Sequence, residues 1–182
     1  MELPPIRIPR ERLGVLIGEN GAMRGEIEAR SGVSLRIESE TGEVWVDSTK
    51  AFDPALALQA AEIVKAIGRG FAPERALRLF QQDAYLEIHD IDELAGKNVH
   101  HPERVRARLI GTHGRTRVTV EEMTGAFLSI YGKTVGIIGE PEELELAREA
   151  VLMLVRGAPQ NAVYKWLTRK RRELRLKELG LA

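Results

Sequence analysis

Arg108-Leu109-Ile110-Gly111-Thr112-His113-Gly114-Arg115-Thr116-Arg117 is the stretch on which the interpretation of this 182-residue chain depends. It holds two glycines in the spacing G-x-x-G between two segments of helical character, 102–110 and 115–124. Glycine permits a sharp turn and a close approach by another backbone, because it has no Cβ. The free amides that open the second helix, backed by the positive end of the helix dipole, suit a phosphate group. The stretch therefore predicts a phosphate-binding turn between two helices.

The residues that follow this turn make the pattern more specific. Val120, Thr124-Gly125, Leu128 and Ile130 predict that the second helix ends at a glycine and leads into a strand. A lone G-x-x-G carries little information, but in this helix–loop–helix–strand context it resembles the KH domain, whose loop clamps the backbone of about four nucleotides. The resemblance predicts these RNA-binding residues: Arg108, Gly111, Thr112, His113, Gly114, Arg115 and Arg117.

The first half of the chain repeats the same pattern. A gapless alignment pairs Gly18 with Gly111, Gly21 with Gly114, Arg24 with Arg117, Glu28 with Glu121, and Ser31-Gly32 with Thr124-Gly125. An acid–proline pair (53–54 and 140–141) and an R-G-(F)-A-P motif (69–73 and 156–159) then recur in the same order. This agreement predicts two copies of one module, over residues 1–82 with a connector helix and over residues 83–182. Gly18, Gly21 and Arg24 therefore join the candidate RNA-binding residues.

Hydrophobic periodicity places the elements of both copies in the order βααββα. Strict alternation predicts a strand at 33–38, and the turn at 41–42 predicts a return strand at 44–46. The second copy is predicted to have strands around 127–131 and 133–138. Asp53 and Pro54 predict the start of a long helix. The buried stripe of that helix is predicted to be Leu56, Ala60, Ile63, Val64 and Ile67. The second copy carries an insertion, 90–101, before its loop. The connector is short and not rich in Gly or Ser, so the copies are predicted to pack as a fixed pair.

A last helix is predicted over 161–179, with apolar positions that pack against the domain and a strongly basic segment. The basic candidates for phosphate contact are Arg169, Lys170, Arg171 and Arg172. The alternative is that this run is a solvated helix face.

Composition limits the possible functions. Lys+Arg and Asp+Glu both number 27, so the formal net charge is +0, which argues against a strongly basic, non-specific nucleic-acid binder. The absence of cysteine excludes disulfides and thiolate chemistry and fits a reducing compartment. Neither a secretory signal nor an apolar run of the roughly 18 residues needed for a membrane span is visible, so a cytoplasmic location is expected.

Three other patterns do not support a catalytic or cofactor site. Gly132-Lys133-Thr134 lies on a turn between predicted strands, and Phe127 stands where a P-loop needs its first glycine. His100-His101, near Asp90, Asp92 and Glu93, lacks the spacing of a metal site. No nucleophile can be paired with any of the four histidines. The expectation is a protein that is not an enzyme and has no cofactor or metal.

The whole chain resembles the archaeal two-KH-domain ribosome-assembly proteins related to the eukaryotic Dim and Krr small-subunit factors. The resemblance rests on the segments 68–76, 111–117, 121–124 and 157–164. It implies an α+β fold of two tandem type I KH domains, each with a three-stranded antiparallel sheet, plus a C-terminal helix. It also implies non-catalytic binding of single-stranded small-subunit ribosomal RNA during assembly and 3′-end maturation. The partners it implies are a PIN-domain endonuclease that trims the 3′ end and the alpha subunit of translation initiation factor two.

The first loop departs from that family pattern. Glu19-Asn20 stands where members often carry basic residues, so the first loop is predicted to be degenerate and used for packing or protein contact. A rival interpretation is a KH-fold protein–protein scaffold that has lost most RNA affinity, favoured by Glu19 and by the zero net charge. RNA binding predicts a positive surface that joins the second loop to the C-terminal helix. The scaffold predicts an exposed apolar patch instead.

Overall fold

The computed structural model of the chain describes residues 3–96 and 101–181. The chain divides into two compact units, Met1–Leu86 (unit 1) and Glu87–Ala182 (unit 2). Each unit is built around one three-stranded sheet, in the order β1-β3-β2 for the first sheet and β4-β6-β5 for the second. The expectation of a mixed α/β chain with antiparallel three-stranded sheets is confirmed.

Apart from one short helix in the insertion of the second copy, the helices and strands follow the predicted order. From Ile6 to Ala76 they are β1 (Ile6–Arg7), α1 (Arg10–Ile17), α2 (Ala22–Ser31), β2 (Ser34–Glu38), β3 (Glu43–Asp47), α3 (Pro54–Gly68) and α4 (Pro73–Ala76). From Tyr85 to Glu178 they are β4 (Tyr85–Asp90), α5 (Ile91–Ala95), α6 (Pro102–Ile110), α7 (Arg115–Thr124), β5 (Phe127–Tyr131), β6 (Thr134–Gly139), α8 (Pro141–Val155) and α9 (Gln160–Glu178).

The sheet of unit 1 explains why apolar and polar residues alternate along its strands. Leu35 pairs with Val46 in antiparallel register, and Val44 is the neighbour of both Ile6 and Ile37. Leu35, Val44 and Val46 are fully buried, whereas Ser34, Arg36 and Glu38 are exposed. One face of the sheet is thus apolar and covered, and the other is polar, as a period of two predicts.

Helix α3 begins as predicted. The Asp53 carboxylate accepts a hydrogen bond from the Ala55 amide at 2.7 Å, and Pro54 occupies the first turn. The predicted stripe is correct at four positions and wrong at Leu56, which is only half-buried. Ala57 is buried instead. Leu56 lies on the same helical face as Ile63 and Ile67, but it is in the first turn of the helix, where residues 53–55 are all exposed.

The predicted insertion contains a short helix, α5, that periodicity did not indicate. The Asp90 carboxylate caps it by accepting hydrogen bonds from the amides of Asp92 and Glu93 at 2.8 and 3.4 Å. Ile91 is buried in the core of unit 2. Residues 97–100 of the insertion, which include His100, lie outside the described residues.

The last helix, α9, belongs to the core of unit 2. Val163 and Leu167 are fully buried, and Trp166 and Leu174 pack against the same apolar cluster. This confirms that the apolar positions of the predicted C-terminal helix pack against the domain.

A partly buried ion pair ties β4 to α8. The Arg148 guanidinium donates to both oxygens of Glu87, at 3.0 and 3.1 Å, and His89 Nε2 lies 2.8 Å from Glu87 Oε2. Partial burial raises the pKa of the Glu87 carboxyl. The hydrogen bonds and charges of His89 and Arg148 together lower it by more than this, so the pKa lies below its ordinary value of 4.5. The carboxylate is therefore more easily kept charged in the folded state than in the unfolded one.

This depressed pKa predicts how stability depends on pH. A group whose folded pKa is lowered stabilises the protein above its unfolded pKa, and that stabilisation is lost as the pH falls through the folded value. We expect Glu87→Gln to lower the free energy of unfolding by about 1 kcal/mol near neutral pH, and the difference to vanish in acid. Urea titrations of both proteins at several pH values measure it. Glu26→Gln, which disturbs only the exposed pair with Arg30, is the control. A difference between Glu87→Gln and the parent that persists in acid would contradict the linkage.

Candidate nucleic-acid interface

The loop between α6 and α7 is a tight turn made by two glycines. Gly111 has φ 75° and ψ 171°, and Gly114 has φ 74° and ψ 9°. His113 between them has φ 52°, a positive value that is uncommon outside glycine. Thr112 and His113 are both exposed, at the tip that precedes the first amides of α7. The turn thus presents exposed side chains and the free amides of a helix start to the solvent.

The two glycines have different surroundings. A Cβ on Gly111 would lie 2.7 Å from the Thr116 amide nitrogen and closer still to the Thr116 hydroxyl. A Cβ on Gly114 would meet only Arg117 Nη2, at 3.9 Å. Gly111 is therefore needed for packing within the protein. The space beside Gly114 is open to an approaching ligand.

Arginines flank the loop, but only some of them are free to bind RNA. Arg104 and Arg115 are exposed. Arg108, a predicted RNA-binding residue, donates from Nη1 to the Leu154 carbonyl at 3.2 Å, so one of its nitrogens caps the end of α8. Arg106 is half-buried, and its Nε finds no hydrogen-bond partner among the described residues. Arg115 is the cation best exposed at the start of α7.

Arg117 is held by a carboxylate on the next turn of α7. Its Nη1 donates to Glu121 Oε2 at 2.9 Å, and Glu121 Oε1 accepts the Leu128 amide of β5 at 2.8 Å. Only 8% of the Glu121 side chain is exposed. The guanidinium is therefore fixed through Glu121 to the backbone of the sheet. Glu121 was paired with Glu28 in the sequence alignment, but no role was predicted for either residue.

Unit 1 contains the same arrangement. Gly18, Asn20 and Gly21 have φ 74°, 50° and 79°, against 75°, 52° and 74° at the aligned positions of the second loop. Glu28 Oε1 accepts both the Arg24 Nε at 3.1 Å and the Leu35 amide at 2.7 Å. The two loops thus share a backbone path, and the loop side chains differ: Glu19-Asn20 stands in the first and Thr112-His113 in the second.

Helix α9 lies alongside α7. Gln160 Nε2 donates to the buried Thr116 hydroxyl at 2.7 Å, which places the start of α9 beside the first turn of α7. Arg171 and Arg172 lie near Thr124, at the other end of α7, together with Glu142 and Glu143. Since α7 has 10 residues, about 15 Å of helix separates the basic run from the loop.

The four basic candidates on α9 are not equivalent. Arg169 and Lys170 both approach Glu173, at 3.9 and 2.9 Å. Arg171 and Arg172 are exposed and have no ion pair with any residue in the part of the chain that the structure describes. Arg171 and Arg172 are therefore the two cations of this run that are available for a phosphate.

The described residues offer neither a membrane span nor a cluster of metal ligands. None of the helices in residues 3–96 and 101–181 is long and apolar enough to cross a membrane. Within the same ranges, the His, Asp and Glu side chains form no group of three or more that could hold a metal ion.

Comparison with known proteins gives a family model that matches the second half of the chain, and relatives that cover most of its length. A model of the eukaryotic type KH-domain (KH-domain type I), describing the second KH domain of PNO1, matches residues 85–172. A KH domain-containing protein of Methanocaldococcus jannaschii is 41% identical over 170 residues, which cover 93% of this chain and 74% of that protein. The RNA-binding protein pno1 of Drosophila melanogaster is 30% identical over 143 residues, covering 78% of this chain and 55% of that protein, so the chain spans about half of this relative.

Two solved structures are also similar. Dim2p from Pyrococcus horikoshii superposes with a TM-score of 0.86 at 48% identity, over 93% of this chain and 99% of that one. A second structure from the same organism, a complex of a/eIF2alpha, aDim2p and rRNA, gives a TM-score of 0.88 at 45% identity over 95% of both chains.

Proposed function

Since the chain belongs to the Dim2/PNO1 family of KH-domain proteins, we propose that it is a non-catalytic RNA-binding protein that acts on small-subunit ribosomal RNA during assembly and 3′-end maturation. Relatives are named RNA-binding proteins and pre-rRNA-processing proteins, and one similar structure is a complex with rRNA. The same role is the reason for proposing a cytoplasmic location.

The observation that carries this proposal is the geometry of the second loop. Gly114 leaves open space beside the turn, Thr112 and His113 are exposed, and the amides of α7 follow directly. A backbone phosphate at this position would meet a helix N-terminus, the neutral or weakly basic tip of the loop and the exposed Arg115. Single-stranded RNA fits this arrangement, because its unpaired bases can turn away from the clamped backbone.

We also propose that unit 1 is a second KH domain, with domain limits of 1–82 and 83–182. Support comes from the shared element order, the matching φ angles of the two loops and the repeated Arg–Glu–amide contact. Glu19 places a negative charge where a phosphate would lie, so we assign RNA binding chiefly to the second loop.

Two protein partners are proposed. The alpha subunit of translation initiation factor two is supported by the similar complex that contains a/eIF2alpha. The proposal of a PIN-domain rRNA endonuclease as a partner is based only on the family resemblance of the sequence.

A protein–protein scaffold remains the second candidate function, and one observation favours it. Leu58 and Tyr85 in unit 1 are 58% and 54% exposed, and both line a groove of about 320 Å³ with Leu79 and Leu86. This is the kind of exposed apolar surface that a protein contact uses. RNA binding and partner binding on different units are compatible, so the RNA titration below tests the first function by itself.

The test of RNA binding is a titration of single-stranded small-subunit rRNA fragments at several salt concentrations. We expect the logarithm of the affinity to fall linearly with the logarithm of the salt concentration, as it does when phosphates are neutralised. If Arg171 and Arg172 contact phosphates, replacing both with glutamine should reduce the slope by about 1.4, or about 0.7 for each contact with a single strand. The loss should be similar for all RNA sequences.

The matched control is Arg169→Gln with Lys170→Gln, which removes the same charge from cations that already approach Glu173. This control should change the slope less. An unchanged slope in the Arg171/Arg172 variant would make the run a solvated helix face, and absence of binding by the parent protein would favour the scaffold.

A further inference from the structure

The Arg117–Glu121 pair has a chemistry that differs from that of the other arginines near the loop. We propose that this pair is a base-reading element, in which Glu121 positions the Arg117 guanidinium to recognise one base of the RNA held by the second loop. The proposal rests on the proposed function, because it requires RNA at that loop.

The first step of the argument is that the guanidinium is fixed. Glu121 is itself anchored, since its Oε1 accepts the Leu128 amide of β5 at 2.8 Å while its Oε2 accepts Arg117 Nη1 at 2.9 Å. About 30% of the Arg117 side chain remains exposed. A planar group held in this way presents its remaining donors and its flat face in one orientation.

The second step is where those donors lie. Arg117 Nη2 is 3.9 Å from the position that a Cβ on Gly114 would occupy. The free edge of the guanidinium therefore borders the open side of the loop. A base attached to the clamped backbone would be within reach of this edge.

The third step is charge. Arg117 and the buried Glu121 form a pair with no net charge, so the pair adds little to the attraction of phosphates or to counterion release. Arg115, which is exposed, keeps its full charge. What the pair retains is directional hydrogen bonding and a stacking surface, and these are the interactions that distinguish one base from another.

The test is a titration of single-stranded rRNA fragments in which each position is replaced in turn by the other bases, at several salt concentrations. Arg117→Gln should lose at least about tenfold in discrimination at one position. Arg117→Gln combined with Glu121→Gln removes the pair without changing the net charge, so this double variant should lose the same discrimination with an unchanged salt slope. Arg117→Lys should fail to restore that discrimination, because lysine keeps the charge and lacks the planar fork. Glu121→Gln should lose discrimination at the same position, since its amide can still accept the Leu128 amide but cannot hold the guanidinium. Arg115→Gln should weaken the binding of all RNA sequences equally and reduce the salt slope.

Glu28 supplies the matched control for a purely structural role. It makes the same two contacts in unit 1, to the Leu35 amide and to Arg24. Both contacts are made by Oε1 alone, so Glu28→Gln could keep them, whereas Glu28→Ala removes both. Glu28→Ala should therefore lower thermal stability and leave RNA discrimination unchanged. If Arg117→Gln lost the same affinity for all RNA sequences and had a smaller salt slope, or if Arg117→Lys restored binding, Arg117 would be a phosphate contact and the base-reading role would be wrong. Unchanged binding in Arg117→Gln would leave the pair as a structural tie. Failure of the parent protein to bind any fragment would instead reject the proposed function and this inference with it.

Discussion

Replacing Thr112 and His113 with aspartates is expected to lower the affinity for single-stranded rRNA by about a hundredfold without unfolding the protein. Two like charges about 4 Å apart repel by about 4 kcal/mol at an effective dielectric constant of 20. Salt and rearrangement reduce this value, and a third of it is still a tenfold loss for each aspartate. The loop is proposed to bring a phosphate to this distance, so the two losses should multiply.

The fold should survive this change because of where the two side chains lie. Both are exposed at the loop tip, so their replacement removes no buried contact. His113 has φ 52°, and aspartate is one of the residues that adopts this region most readily. Circular dichroism and thermal unfolding should match those of the parent protein.

The first loop offers a control with the same backbone. Glu19→Asp with Asn20→Asp places two aspartates on a turn whose φ angles agree with those of the second loop within a few degrees. RNA affinity should change little, since Glu19 already carries a negative charge there. Equal losses from the two double variants would mean that both loops bind RNA. If the second-loop variant bound as well as the parent, the scaffold would become the better interpretation.

The sequence predicted most of the fold because its signals are local. Strand alternation, the Asp53 cap and the glycines that end helices each depend on residues close together in the chain, and the structure bears them out. The repeated motifs were visible for the same reason, since aligned motifs are a property of the sequence itself. Helix α5 was missed, although Asp90 followed by Asp92 and Glu93 is a recognisable helix start.

The roles of Glu28 and Glu121 could not be predicted from the sequence. Each was visible as an acid four residues after an arginine, which indicates only an ion pair on a helix surface. That the same carboxylate also accepts a strand amide depends on how the helix packs on the sheet, as with Glu121 and Leu128. The partial use of Arg108 at the end of α8 is a tertiary contact of the same kind. The structure was therefore needed to show which donors of Arg108 and Arg117 are already used within the protein.

The contrast between the two glycines of the second loop predicts a separation of folding from binding. Gly111 combines φ 75° with ψ 171°, a region that is essentially restricted to glycine, and its added Cβ would also strike Thr116. We expect Gly111→Ala to lower the free energy of unfolding by about 4 kcal/mol, from backbone strain of about 2 kcal/mol and overpacking of about 2 kcal/mol. Gly114 lies in the left-handed helical region with open space beside it, so Gly114→Ala should cost only about 1 kcal/mol.

For RNA affinity we expect the opposite order: Gly114→Ala should weaken RNA binding directly, whereas Gly111→Ala should act mainly through stability. The methyl group of Gly114→Ala projects into the space that the RNA backbone is proposed to occupy, so this variant should remain folded and bind at least about tenfold more weakly. Gly18→Ala and Gly21→Ala are the matched controls, because a Cβ on Gly18 would lie 2.7 Å from the Met23 amide nitrogen and a Cβ on Gly21 would meet nothing within 4 Å. Gly18→Ala should destabilise unit 1 strongly. Gly21 lies in the same left-handed region as Gly114, so Gly21→Ala should also cost about 1 kcal/mol, but it should leave RNA affinity nearly unchanged. Thermal unfolding and RNA titration of the four variants decide the matter. If Gly114→Ala bound RNA as well as Gly21→Ala, the open side of the second loop would not be where the RNA backbone lies.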